Sequence, residues 1–215
     1  MSIELNDYLF DSGAALVLHG EKELVDADLA QLHDFSEKQR ASITSVVLSN
    51  TDITGACFRY LAFLRNLKAL YVNKTRINDN APLEYLPKTM EIINLDHTEV
   101  GDACVSKLRM VPSLYSVRLR KTGVTDCGVN ILATMPRLRE CHVDGMAVSE
   151  YARRRLDNAM VLRAVTFNRL VYFLLHSIQL EARQFILRVR DIRSVWYFRL
   201  PVSIGFRLLR PDSAD

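Results

Sequence analysis

Apolar residues follow two rhythms along the chain, and the two alternate. In "LYSVRLRK", Val117 and Leu119 alternate with Arg118 and Arg120, a period of two that predicts a strand with one face in a core and the other in solvent. In "TDCGVNILATMP", Val129, Leu132 and Ala133 fall at i, i+3 and i+4, which predicts a short amphipathic helix that Pro136 closes. Thr125 or Asp126 stands where that helix needs an N-cap.

The strand-then-helix unit repeats. The segments "ITSVVLSNTDI" from Ile43, "LKALYVNKTRI" from Leu67, "MEIINLDHTEV" from Met90, "LYSVRLRKTGV" from Leu114 and "LRECHVDGMAV" from Leu138 align position for position. One column reads Thr51, Thr75, Thr98, Thr122 and Met146, in steps of 24, 23, 24 and 24 residues. Two positions further on, Ile53, Ile77, Val100, Val124 and Val148 form an apolar column. A degenerate earlier copy spans 15–40, with Leu16 and Leu18 as its strand pair and Leu29 and Leu32 as its helix face. Its wider spacing implies an insertion around "HDFSEKQRAS". A single copy buries too little to fold alone, so the copies must stack as a solenoid.

The pattern L-x-x-L-x-L-x-x-T-x-I resembles a leucine-rich repeat protein of the ribonuclease-inhibitor-like, or cysteine-containing, class. The resemblance covers clear repeats over 41–156 and the degenerate one over 15–40, which makes 1–156 the leucine-rich-repeat domain. It implies an α/β fold: a right-handed solenoid with parallel strands on the concave face and short helices on the convex face. Protein binding is the usual task of that family. The column commonly held by asparagine or cysteine is threonine here, whose hydroxyl is expected to bond backbone groups in adjacent turns. No F-box is expected ahead of the first copy.

Charge changes the picture at the end of the array. Residues 152–215 hold 12 arginines, no lysine and 5 acids, a net of +7 within a chain of net +3, leaving −4 for residues 1–151. The repeat grammar stops there too. "YARRRLDNA" reads as a last helix that caps the array, and 157–215 is an Arg-rich segment open to three accounts. It is a capping subdomain, a nucleic-acid or anionic-membrane binder using Arg with Phe167, Tyr172, Trp196, Tyr197 and Phe198, or the product of a shifted reading frame.

Candidate chemistry adds little. Cys57, Cys104, Cys127 and Cys141 show no metal or disulfide spacing. The first three lie five or six residues after the threonine column, where small buried filler between repeats is expected. Asp79, Asp102 and Asp126 recur at one turn position and are expected to cap their helices rather than bind metal. No nucleophile, histidine and carboxylate stand in a legible catalytic arrangement, and no phosphate loop is present. An enzyme is therefore not expected, nor are a cofactor, a metal or a small-molecule substrate. The N-terminus lacks the basic and apolar regions of a secretory signal, so a cytoplasmic location is expected.

The exposed strand face remains. Its candidate partner-binding residues are Tyr71, Asn73 and Lys74 in one copy, and Asn94, Asp96 and His97 in the next. Arg118, Arg120 and Lys121 follow, then His142 and Asp144. The expected partner is a protein, with nucleic acid or a membrane surface as the rival through the Arg-rich segment.

Overall fold

The computed structural model describes residues 3–166. Strand residues come in threes: β2 (Ala15–Val17), β3 (Ser45–Val47), β4 (Ala69–Tyr71), β5 (Ile92–Asn94), β6 (Ser116–Arg118) and β7 (Glu140–His142). They pair in chain order, all parallel, and the register shows no slip: Leu16, Val46, Leu70, Ile93, Val117 and Cys141 face one another. The register holds although these residues stand 30, 24, 23, 24 and 24 positions apart, because each copy, whatever its helical half contains, returns the chain to the same place one strand over. The strands fall where the period of two read from the sequence places them. A two-residue strand, β1 (Leu9–Phe10), adds an antiparallel edge ahead of β2 and was not foreseen.

The other half of each copy is helical: α2 (Cys57–Leu61), α3 (Asp102–Leu108) and α4 (Asp126–Leu132) are α-helices, and Asp26–His33 and Leu83–Tyr85 are 3-10 turns. The insertion is a helix of its own, α1 (Glu37–Ser42), started by a capping box in which Ser36 Oγ accepts from Gln39 N while Gln39 Oε1 accepts from Ser36 N. Pro82 and Pro87 bracket the short 3-10 turn and keep that copy from winding further. A last helix, α5, spans 150–166 and buries Ala152 and Leu156 against the array. The expected capping helix is thus present, and it continues past Leu156. Between strands and helices lies one continuous aliphatic core, in which Leu48, Ile53, Leu70, Ile77, Ile93 and Val117 are fully enclosed. The fold is an α/β leucine-rich-repeat solenoid, with its parallel strands on the concave side and its helices on the convex side.

Three expectations about the turns need correction. The threonine hydroxyls bond within their own turn, not the adjacent one: Thr51, Thr75, Thr98 and Thr122 donate to the carbonyls of Leu48, Val72, Leu95 and Leu119 at 2.6–2.8 Å. Each threonine follows a residue forced into the left-handed region, Asn50, Lys74, His97 or Lys121, with φ between 52° and 61°. The threonine bond closes this tight corner. The cost of the left-handed residue is offset because its N–H continues the ladder to the next copy, as His97 N does to Arg120 O at 2.8 Å.

The recurring aspartates do not cap their own helices. Each reaches forward to the start of the next one. Asp26 accepts from Thr54 N and Oγ1, Asp79 from Gly101 N and Cys104 N, and Asp126 from Ser149 N and Oγ. Asp102 accepts three bonds, from Thr125 N (2.9 Å), Thr125 Oγ1 (2.6 Å) and Gly128 N (2.9 Å). A helix N-terminus leaves amides without partners, and a carboxylate answers both their hydrogen bonds and their partial charge. The preceding copy is the nearest source. The relay is interrupted where Gly55 takes the aspartate column, since any Cβ there would come within 2.9 Å of Ala81.

The third correction concerns Cys127, which is exposed, whereas Cys57 and Cys104 are buried. Those two stand six residues after the threonine column, in line with Ala81, Gly128 and Ala152, all enclosed. Cys127 stands five after it, in line with Ala56, Asn80, Ala103 and Tyr151, all exposed. One residue turns a helix by about 100°, enough to move a side chain from core to solvent.

Two predictions follow from the relay. Asp102→Ala should lower unfolding free energy by about 2 kcal/mol, read as a lower urea midpoint at constant slope. The Ser149 hydroxyl and then its amide hold the Asp126 carboxyl below its ordinary range. A carboxyl depressed in the folded state adds stability above its unfolded pKa, about 3.9, and gives it up as pH falls through the folded value. The melting temperature of Asp126→Asn should therefore fall less steeply than that of the parent as pH drops below about 4.

Candidate functional site

Each three-residue strand points its middle residue into the core and the flanking two onto the concave face. The column after the core position runs Val17, Val47, Tyr71, Asn94, Arg118, His142, and register puts these side by side. The column before it runs Ala15, Ser45, Ala69, Ile92, Ser116, Glu140 and shares the same face. Sequence reasoning passed over that second column, although the same period of two places it there. Tyr115, just outside it, donates its hydroxyl to Glu140 Oε1 at 2.9 Å.

Burial divides the candidate residues. Tyr71, Asn73, Arg118, Arg120 and His142 are half-buried; Lys74, His97, Lys121 and Asp144 are exposed. Asn94 and Asp96 are only 7% and 8% exposed, so they offer a partner almost no surface. Their polar atoms serve the fold: Asn94 Oδ1 accepts from Asp96 N at 3.0 Å, and Asp96 Oδ1 accepts from Arg120 N at 2.7 Å. Asn73 Oδ1 likewise accepts from Ser49 Oγ at 2.7 Å, one copy back.

Arg120, His142 and Asp144 form a cluster at the C-terminal ends of the last two strands. Arg120 Nη2 lies 3.2 Å from His142 Nδ1. Its Nε, buried, lies 3.3 Å from Asp144 Oδ2 without hydrogen-bond alignment. Arg118, Lys121, Lys74 and His97 have side chains that make no hydrogen bond or ion pair among the described residues. The face thus carries small and aliphatic residues on β2 and β3, an aromatic one on β4, and a basic surface with open valences around β6 and its turns.

Other chemistry is sparse on the described residues. No group of three or more His, Cys, Asp or Glu is placed to hold a metal ion, and no helix is long and apolar enough to cross a membrane. Burial, reinforced by the charge of Asp26, pushes the Cys57 thiol well above its usual range. Burial first and then Asp79 take Cys104 to about 12, and burial first and then Asp157 take Cys141 to about 12. The candidate segment 157–215 is described only as far as Thr166; the rest lies outside the described residues.

No family model matches the chain, and no curated protein matches it. Solved structures of similar architecture exist. An internalin (inlF) from Listeria monocytogenes aligns at 18% identity and TM-score 0.47, over 55% of this chain and 34% of that one. The tropomodulin C-terminal domain of Caenorhabditis elegans aligns at 10% identity and TM-score 0.43, over 65% and 85%. Leiomodin-1 actin-binding site 2 aligns at 12% identity and TM-score 0.45, over 77% and 88%. The chain spans about a third of the internalin it matches. The repeat architecture rests on the register and columns described above.

The thiols yield a direct check. At about pH 8 an alkylating reagent should modify Cys127 in the folded protein, with Cys57, Cys104 and Cys141 reacting only after denaturant is added. Mass spectrometry of the labelled peptides reads the result; early labelling of Cys57 or Cys104 would contradict the stacking of column six.

Proposed function

We propose that this protein is an interaction module that grips a protein partner through its concave strand face, acting as a scaffold without catalysis. The observation that carries the reading is the aligned outward column, which passes from Val17, Val47 and Tyr71 to Arg118 and His142 with no slip in register. A partner segment with an apolar end and an acidic end matches it. Tyr71 and Arg118 are the anchors, since half-buried aromatic and guanidinium groups gain most on desolvation. Asn73, Arg120, His142 and Asp144 give directional polar contacts, and Lys74, His97 and Lys121 form a charged rim.

We assign the array to the cysteine-containing class of leucine-rich repeats on the strength of Cys57 and Cys104 in the buried sixth column, beside Ala81, Gly128 and Ala152. Four free thiols fit a reducing, cytoplasmic setting. The Arg-rich stretch after the array is the basis of the rival reading, binding to RNA or an anionic membrane.

The test uses a photo-crosslinking amino acid at Tyr71 and, separately, at the convex positions Ser106 and Asn130, followed by affinity capture. Crosslinks should form from Tyr71 and not from the other two. The double substitution Tyr71→Ala, Arg118→Ala should weaken capture by about tenfold or more. Crosslinks confined to the convex positions, or capture lost only when residues 169–215 are removed, would exclude the concave face.

A further inference from the structure

On the helix side of the array, across the core from the strands, a groove of about 740 Å³ crosses the first three copies. His33 comes from the 3-10 turn Asp26–His33, Arg40 from α1, Arg59 from α2, Phe63 and Arg65 from the loop after it, and Tyr85 from the next 3-10 turn. Bonds within the first two copies and one ring contact between them brace its floor. Arg40 Nη1 donates to His33 O at 2.7 Å, Asn66 Nδ2 donates to Ala41 O at 2.9 Å, and the His33 ring meets Phe63 edge-on at 5.5 Å. The groove is therefore a product of stacking and is absent from any single copy.

Two features of its lining are left unused by the fold. Phe63 and Tyr85 are 41% and 43% exposed, large rings held open on a surface. The side chains of Arg59 and Arg65 make no hydrogen bond or ion pair among the described residues. Glu37 is the one carboxylate among the described lining residues, and His33 already has Asp34 at 3.6 Å. Three guanidinium groups against one carboxylate make the groove basic, on a stretch of chain, 1–151, whose net charge is −4. A local basic patch on an acidic background attracts a short acidic segment. A polyphosphate chain running across the rest of that surface meets net repulsion.

We propose that this groove is a second docking surface, separate from the concave face, for an extended acidic peptide segment carrying an apolar side chain. The carboxylates pair with Arg59 and Arg65 in bidentate fashion, and the apolar side chain seats between Phe63 and Tyr85. Helical layers about 10 Å apart place the outer two of three copies about 20 Å from each other, the span of about six extended residues. The two faces together let one module join two proteins, one on each side.

The test is fluorescence polarisation with the full chain and a labelled peptide of about eight residues, glutamates flanking a central phenylalanine. Binding should weaken about tenfold in the double variant Arg59→Glu, Arg65→Glu, and about threefold in Phe63→Ser. In Arg118→Ala, Arg120→Ala, which removes two cations of the concave face, the loss should be smaller than in either groove variant, which separates the two surfaces. Circular dichroism and melting confirm that each variant is folded, which these surface positions allow. The matched peptide with glutamine for glutamate should bind about tenfold more weakly. The proposal is overturned if the glutamine peptide binds equally, if only the Arg118, Arg120 variant loses binding, or if the groove variants leave affinity unchanged. Tighter binding of a labelled single-stranded RNA, lost in the groove variants, would overturn it in favour of nucleic acid.

Discussion

A carboxylate from one repeat closes the amide end of the helix in the next, and the array depends on that reach. Helices α2, α3 and α4 are five to seven residues long, too short to persist alone. Asp26, Asp79, Asp102 and Asp126 each supply what a neighbouring helix start lacks, and Thr54, Thr125 and Ser149 answer with a hydroxyl. Lys107 adds a second tie at the Asp79 junction, donating back to the carbonyls of Asp79 and Ala81 at 2.9 and 3.0 Å. Stacking is thus specified by polar bonds as well as by the shared aliphatic core, and the strands inherit their alignment from it.

Alignment has a functional consequence. Because the strands do not slip, each outward position becomes a continuous stripe, and the chemistry of a stripe can change along the stack while its geometry stays fixed. Here it changes from aliphatic to aromatic to basic. Asn94 and Asp96 fall in the middle of these stripes yet are withdrawn into the backbone network, so the face has an apolar end and a basic end joined by a stretch that serves structure. The helix side carries its own asymmetry, with the arginine groove at the first copies and α3 packed on α4 further along.

Much of this was legible in the sequence, for a physical reason. Copy boundaries, the core column through Val46, Leu70, Ile93 and Val117, and the outward column through Tyr71 and Arg118 all follow from periodicity, and periodicity is local. What escaped was non-local. The aspartates bond to helices 22 to 28 residues away, and a capping signal in sequence cannot say which helix it serves. Cys127 differs from Cys57 and Cys104 by one position in the repeat, a shift visible in the alignment but telling only once converted into helical rotation. The groove at Phe63 draws on an insertion and two copies, so no single segment announces it.

Partner binding on the concave strand face is what we propose. Hydroxyl-radical footprinting of the intact protein, with and without its captured partner, tests it at side-chain level. Labelling of Tyr71 and of His142 should fall on binding while exposed Met110 and Tyr151, on the helix side, label as before. Unchanged labelling of Tyr71 and His142, with protection at Met110 or Tyr151, would contradict it.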